Sequence, residues 1–238
     1  MEPSDSDADH REAASPVFWL QVATVALTVA VVVASVVTGD AGDRTFVALL
    51  DVGLLPAAVL LPVAGILLVT SEWSQRTGMI TFALVPVRSR VLTAKVLASL
   101  VLALVMLAMS VAVVAAGVLA GSPGADGAWS DVAPLVGQSA VYLTGGMVTG
   151  VAFGAVVLSS APALVALFAL PIAWTAVATL PVLEDAAPWL DTRLALAPLH
   201  QEVVTSTQWA HAGTALALWM LLPLLVGAWR VTRREVAI

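Results

Sequence analysis

Residues 71–100 read SEWSQRTGMITFALVPVRSRVLTAKVLASL, and this stretch decides how the rest of the chain is parsed. Charge, aromatics and a proline interrupt apolar sequence here. One hydrophobic run closes at 66–70 and another begins near Val91. Taken as a helix turning about 100° per residue, residues 71–84 set Trp73, Thr77, Ile80 and Leu84 on one stripe, suited to a bilayer surface or to neighbouring spans. Ser71, Ser74, Gln75 and Gly78 face the other way, and so does Phe82. An aromatic on the wet face of such a helix asks for a partner to cover it. Glu72 and Arg76, four apart with the acid first, make a helix-stabilising pair. Pro86 ends the helix, because the residue before a proline is pushed out of the helical region. Arg88, Arg90 and Lys95 then mark the start of the next apolar run, where Lys95 can snorkel from its first turn.

Working outward, the composition says what the runs on either side are. The chain has 238 residues, 60% of them hydrophobic and 11% charged. A soluble domain carries about 25% charged residues, so most of this surface faces something other than water. An apolar helix needs about 20 residues to cross a bilayer. Six stretches qualify, at about 17–37, 47–70, 91–120, 132–159, 161–183 and 212–229. Ser159, Ser160 and Pro162 divide the long tract 132–183, while Pro56, Pro62 and Pro223 fall inside spans. The polar stretch 1–16 holds five of the 16 acidic residues and no periodicity, which predicts a disordered acidic tail. An acidic rather than basic start also predicts that the first apolar run stays in the protein as a span.

Basic residues set the expected orientation, since Lys and Arg are retained on the cytoplasmic side. Six spans with the N-terminus inside put Arg11, Arg76, Arg88, Arg90, Lys95, Arg230, Arg233 and Arg234 in inner segments, leaving only Arg44 and Arg193 outside. Eight against two predicts both termini in the cytoplasm, with 231–238 as a basic cytoplasmic end. Residues 184–211 mix Trp189, Leu190, Leu194, Leu196 and Leu199 with polar residues and prolines, which predicts two short interfacial or re-entrant helices before the last span.

Several chemistries are absent from the pattern. Without cysteine there is no disulfide framework, thiolate metal site or cysteine nucleophile. His10, His200 and His211 have no metal-ligand spacing, so no metal site is predicted. Neither HExxH nor GxxxxGK[ST] occurs, so the chain has no catalytic residues of these types and no phosphate-cradling loop. Gly137-Gln138-Ser139 and a distant His211-Ala212-Gly213 faintly resemble a rhomboid-type intramembrane serine protease, but Ala140 stands where that pattern has glycine.

Three further features lie within the spans. Gly146, Gly150 and Gly154 repeat every four residues, a stripe that lets helix backbones approach closely, within the chain or between copies. Asp51 is the one acid placed inside a span, about a turn from the helix end. It can line a pathway, or reach headgroups or Arg44. Gln21, Gln138, Thr144 and Thr149 can line a polar route or bond neighbouring helices, and Gln21 joins Asp51 as a pathway candidate.

The ordered run Ser71-Glu72-Trp73, Arg76-Thr77-Gly78, Pro86-x-Arg88 and Leu92-x-Ala94-Lys95 resembles the signature of ABC-2 type permeases, the membrane subunits of bacterial ABC exporters, particularly actinobacterial ones. The chain departs from that pattern at Met79 and in having Trp73 where Tyr is common. About 25 residues carry the motif, while six spans, inside termini and a membrane-dipping segment extend the likeness over nearly the whole chain. The resemblance implies an all-α integral membrane fold, with residues 17–230 as the permease domain in a bacterial plasma membrane. It implies that 71–84 is a coupling helix docking on a separate ABC ATPase subunit through Glu72, Trp73, Gln75, Arg76, Gly78, Met79, Phe82 and Arg88. ATP and Mg belong to that partner, this chain carrying no cofactor. A second copy or paralogue completes the translocation route, and the bilayer, not nucleic acid, is the remaining partner. The competing expectation is a non-transporting membrane protein, such as an immunity or signalling subunit.

Overall fold

The computed structural model describes residues 16–40, 44–74, 88–121, 124, 126–178, 180–183 and 185–233, with the backbone alone described at 72–74, 88, 89 and 231–233. Among the described residues every regular element is helical. Five long helices come first: α1 (Pro16–Thr38), α2 (Phe46–Ser74), α3 (Arg88–Gly121), α4 (Val132–Val157) and α5 (Ser160–Ala178). A 3-10 turn (Pro181–Leu183) and the short helices α6 (Ala187–Leu190), α7 (Thr192–Leu196) and α8 (Pro198–Gln201) follow. The chain closes with α9 (Ser206–Leu216), a π-helical turn (Ala217–Leu221) and α10 (Leu222–Arg233), joined as one rod. Six helices are long and apolar enough to cross a membrane: α1 to α5 and the rod. The chain is therefore all-helical with the makings of a multi-pass membrane protein.

Burial ranks the helices. In α4, 56% of the most apolar window is buried, against 11% in α5, so α4 is the central post and α5 stands at the periphery. Small residues put α4 there. A Cβ on Gly150 would lie 1.9 Å from the Pro62 carbonyl oxygen, and one on Gly65 would lie 2.3 Å from the Met147 oxygen. The α2 and α4 backbones therefore touch directly, which only glycine allows. Further along the same face, a Cβ on Gly154 would meet the Ile66 oxygen at 3.2 Å, and one on Gly146 the Pro62 ring at 3.6 Å. The four-residue stripe is thus turned toward α2 of its own chain.

On the other flank of α2, the residues Thr24, Thr28 and Val32 repeat every four along α1 and form its buried face. The Thr28 hydroxyl donates to the Gly53 carbonyl at 3.2 Å. Val32 enters a core with Phe46, Leu49, Leu50, Val114 and Val118, tying α1, α2 and α3 together.

The helix boundaries depart furthest from the hydropathy limits at two places. The apolar residues Leu180, Val182 and Leu183 continue the fifth run, yet α5 stops at Ala178, ahead of the expected 183. Pro181 disfavours helical geometry in the residue before it, although Pro171 is accommodated inside α5, and the chain turns in 3-10 form at Pro181–Leu183. The last helix begins at Ser206 rather than at 212. Its start is a capping box: the Thr205 side chain accepts from the Gln208 backbone N–H while the Gln208 side chain accepts from Thr205 N–H. Polar residues 206–208 hide this turn from hydropathy. The segment before it forms three short α-helices, where two were expected.

Candidate functional site

The two ends of the helix bundle are built differently. At one end α2 finishes and α3 begins, on either side of the expected coupling stretch. Gln75, Arg76, Gly78, Met79 and Phe82 lie outside the described residues, as does the rest of 75–87. Glu72 and Trp73 belong to the last turn of α2, and Arg88 opens α3. Basic residues at this end bond helix carbonyls. Lys95 Nζ donates to the Leu68 and Val69 carbonyls of α2, at 2.9 and 3.4 Å. Arg230 on α10 donates to the Val156 carbonyl in the last turn of α4. There the cation meets the negative end of the α4 dipole.

At the opposite end, Arg44 does the same for two helices, donating to the Gly39 carbonyl at 3.1 Å and the Gly121 carbonyl at 3.5 Å. Arg44 is therefore committed to α1 and α3, and it is not the partner of Asp51. That partner is α8: His200 Nδ1 lies 2.9 Å from Asp51 Oδ1, with the His200 side chain 6% exposed and that of Asp51 38% exposed. Gln201 Nε2 donates to the same oxygen at 3.2 Å. The Tyr142 ring packs on His200 in a tilted contact, centroids 4.7 Å apart, closing the cluster from α4. Burial pushes the His200 pKa below its ordinary value, and the Asp51 carboxylate pulls it partly back. At neutral pH the imidazole is therefore neutral.

Gln138 reinforces the joint. It is buried on α4, donates to the Leu199 and Glu202 carbonyls at 3.2 and 2.7 Å, and accepts from Val204 N–H at 3.1 Å. One side chain therefore satisfies the frayed end of α8 and the extended link to α9. Asp191, 2% exposed, caps α7 through the Arg193 and Leu194 N–H groups and accepts from Thr175 of α5. Trp219 Nε1 donates to the Leu190 carbonyl at 2.8 Å. The short helices are thus held from α2, α4, α5 and the rod at once.

Under this cap lies a cavity of about 270 Å³, walled by α2, α4, α5, α7 and the rod. Its lining is apolar, with Leu61, Leu143, Phe153, Leu167 and Leu216 among the residues, and Arg193 is its one charged member. Thr149, also in the wall, donates to the Gly145 carbonyl of its own helix.

The pathway candidates separate. Asp51 sits in the polar joint between α2 and α8, while Gln21 lies on α1, its amide nitrogen and oxygen buried with no protein partner. Thr144 bonds back to the Ala140 carbonyl of its own helix. Ser139 is fully buried and its hydroxyl has no hydrogen-bond partner, so no base addresses it. Sequence reasoning weighed His200 only as a metal ligand and passed over Gln201, Tyr142 and the cavity, which are assembled from helices far apart in the chain. No protein-family model, curated protein or solved structure matches this chain.

Proposed function

We propose that this chain is the membrane subunit of an ATP-driven exporter of the ABC-2 type, working as half of a translocation route. The observation that carries the reading is the ordered motif of residues 71–95, set between the second and third candidate spans. It is supported by the position of that stretch between the end of α2 and the start of α3, near which Lys95 bonds α2 carbonyls and Arg230 bonds the end of α4.

In this reading both termini and residues 71–90 lie in the cytoplasm of a bacterial cell. Residues 71–84 dock on a separate ABC ATPase that holds ATP and Mg. Closure of the ATPase pair pushes this handle and rocks two permease bundles between inward- and outward-open states. The second bundle is another copy or a paralogue. The chain itself breaks no bond. Lys95 makes a handle of this kind effective, because it ties the first turns of α3 to the α2 carbonyls next to the motif. A push on the connector then reaches α4 through the α2–α4 backbone contact.

Co-expression with the cognate ATPase tests the reading. The expected result is co-purification of the two, lost in Phe82→Asp while that variant still inserts in the membrane. A Phe82→Asp protein that retains both the ATPase and ATP-dependent export removes the docking assignment. A chain that recruits no ATPase removes the exporter assignment altogether.

A further inference from the structure

The 270 Å³ cavity has a shape, a polarity and a charge that together specify a class of ligand. Along α4 its wall runs from Tyr142 to Phe153, about 16 Å at 1.5 Å per residue. That is about half of a 30 Å hydrocarbon core. The volume of about 270 Å³ falls below the range of about 300–1,000 Å³ typical of pockets that enclose larger ligands, so a long, narrow ligand suits it better than a bulky one.

Two polar groups in the wall stand out from the rest. Thr149 and Trp219 spend their donors on the Gly145 and Leu190 carbonyls. The exposed Arg193 guanidinium has no partner among the described residues: Asp191, its nearest acidic neighbour in sequence, uses its carboxylate to cap α7 and to accept from Thr175. The Tyr142 ring is held against His200 in a tilted contact. The wall thus offers an exposed cation on α7 and a phenol on α4, and apart from the hydroxyls of Thr149 and Thr192 the rest is mostly apolar. We infer that this cavity binds a single-chain anionic amphiphile, with its carboxylate or similar head at Arg193 and its chain lying along α4 toward Phe153 and Trp219.

This rests on the exporter reading only in naming the cargo class; binding itself needs no ATPase. The test uses the purified chain alone in phosphatidylcholine nanodiscs, with dodecanoate as probe, dodecanol and dodecyltrimethylammonium as neutral and cationic counterparts, and empty nanodiscs to subtract partition. The expected result is saturable dodecanoate binding at least tenfold tighter than that of dodecanol, the least a charge-assisted contact provides. A diazirine-bearing dodecanoate should crosslink to cavity-wall residues such as Leu216 or Trp219. Arg193→Gln, at an exposed position, should bring dodecanoate down to the dodecanol level. Ala58→Phe should weaken both probes by filling the chain site. Equal binding of the two probes, an unchanged Arg193→Gln protein, or crosslinks confined to other surfaces would overturn the inference. Displacement of dodecanoate by phosphatidylglycerol placed in the nanodisc would also overturn it, by assigning the site to a two-chain bilayer lipid. ATPase recruitment is read separately, so either conclusion can fail while the other stands.

Discussion

Adding one methyl group at Gly150 should push α2 and α4 apart, whereas adding it one turn earlier at Gly146 should not. Both residues lie on the same face of the same helix, so the helix-propensity gain of Gly→Ala, about 1 kcal/mol, is common to both and cancels in the comparison. What differs is the space. At 146 the new Cβ meets the Pro62 ring at 3.6 Å, an ordinary contact. At 150 it would sit 1.9 Å from the Pro62 carbonyl oxygen, and real Cβ atoms are not found under 3.0 Å, so about 1.1 Å of separation is forced. A backbone carbonyl cannot swing aside as a side chain would. Overpacking of this kind costs about 1–3 kcal/mol, and the upper end applies. Gly150→Ala should therefore be less stable than Gly146→Ala by about 3 kcal/mol. Gly154→Ala, with its closest approach of 3.2 Å to the Ile66 oxygen, should fall between them. Unfolding of the three variants in the same detergent, followed by the loss of a folded-state signal, reads the order directly. Equal stability at 146 and 150, or the reverse order, would mean that the two backbones do not touch and that the stripe serves some other surface.

Replacing Gln138 by Leu strands the Leu199 and Glu202 carbonyls and the Val204 N–H. It should cost about 1–3 kcal/mol and speed proteolysis between 201 and 206, read by mass spectrometry. Because His200 has a lowered pKa in the folded chain, unfolding takes up a proton. Its stabilising contribution is full above the ordinary value of about 6.5 and is lost as pH falls through the folded pKa. His200→Gln should flatten that loss. Asp51→Asn, which removes the attraction holding the pKa up, should widen the pH window; thermal midpoints between pH 7.5 and 5 that run parallel in all three proteins would refute this. The chain contains no cysteine, so single cysteines at 76 and at 44 can be labelled in intact cells without a background. Position 76 should react only after permeabilisation and position 44 before it; the opposite pattern would invert the proposed orientation.

The fold was readable where its cause is local. Length and apolarity locate six candidate spans, and the spacing of Gly146, Gly150 and Gly154 marks a close-packing face before its partner is known. The two helix ends that differ most from the expected limits have their signals written in the chain: a 3-10 turn opens at Pro181 just beyond α5, and the Thr205–Gln208 box starts α9. In both cases hydropathy outweighed backbone chemistry. The polar joint could not be read in the same way. Asp51 and His200 stand 149 positions apart, and no periodicity connects an acid near the start of α2 with a histidine on α8. Arg44 was the obvious local partner for Asp51, yet two helix carbonyls have the prior claim on it. The residues that define the cavity are spread over five elements, and only packing brings them to one wall.

The π turn at Ala217–Leu221 carries one residue more than an α-helical path between the same points would need. The wide turn absorbs that surplus, so that Leu216 above it meets Gly145 and Gly227 below it meets Ala155, both on α4. Deleting Ala217 would let the helix close its regular ladder between the same points, with Gly227 still against Ala155 and Arg230 still within reach of the end of α4. A single-codon deletion here should thus be tolerated, whereas the same deletion in a regular stretch of the rod would turn everything beyond it by about 100° and unseat its C-terminal half.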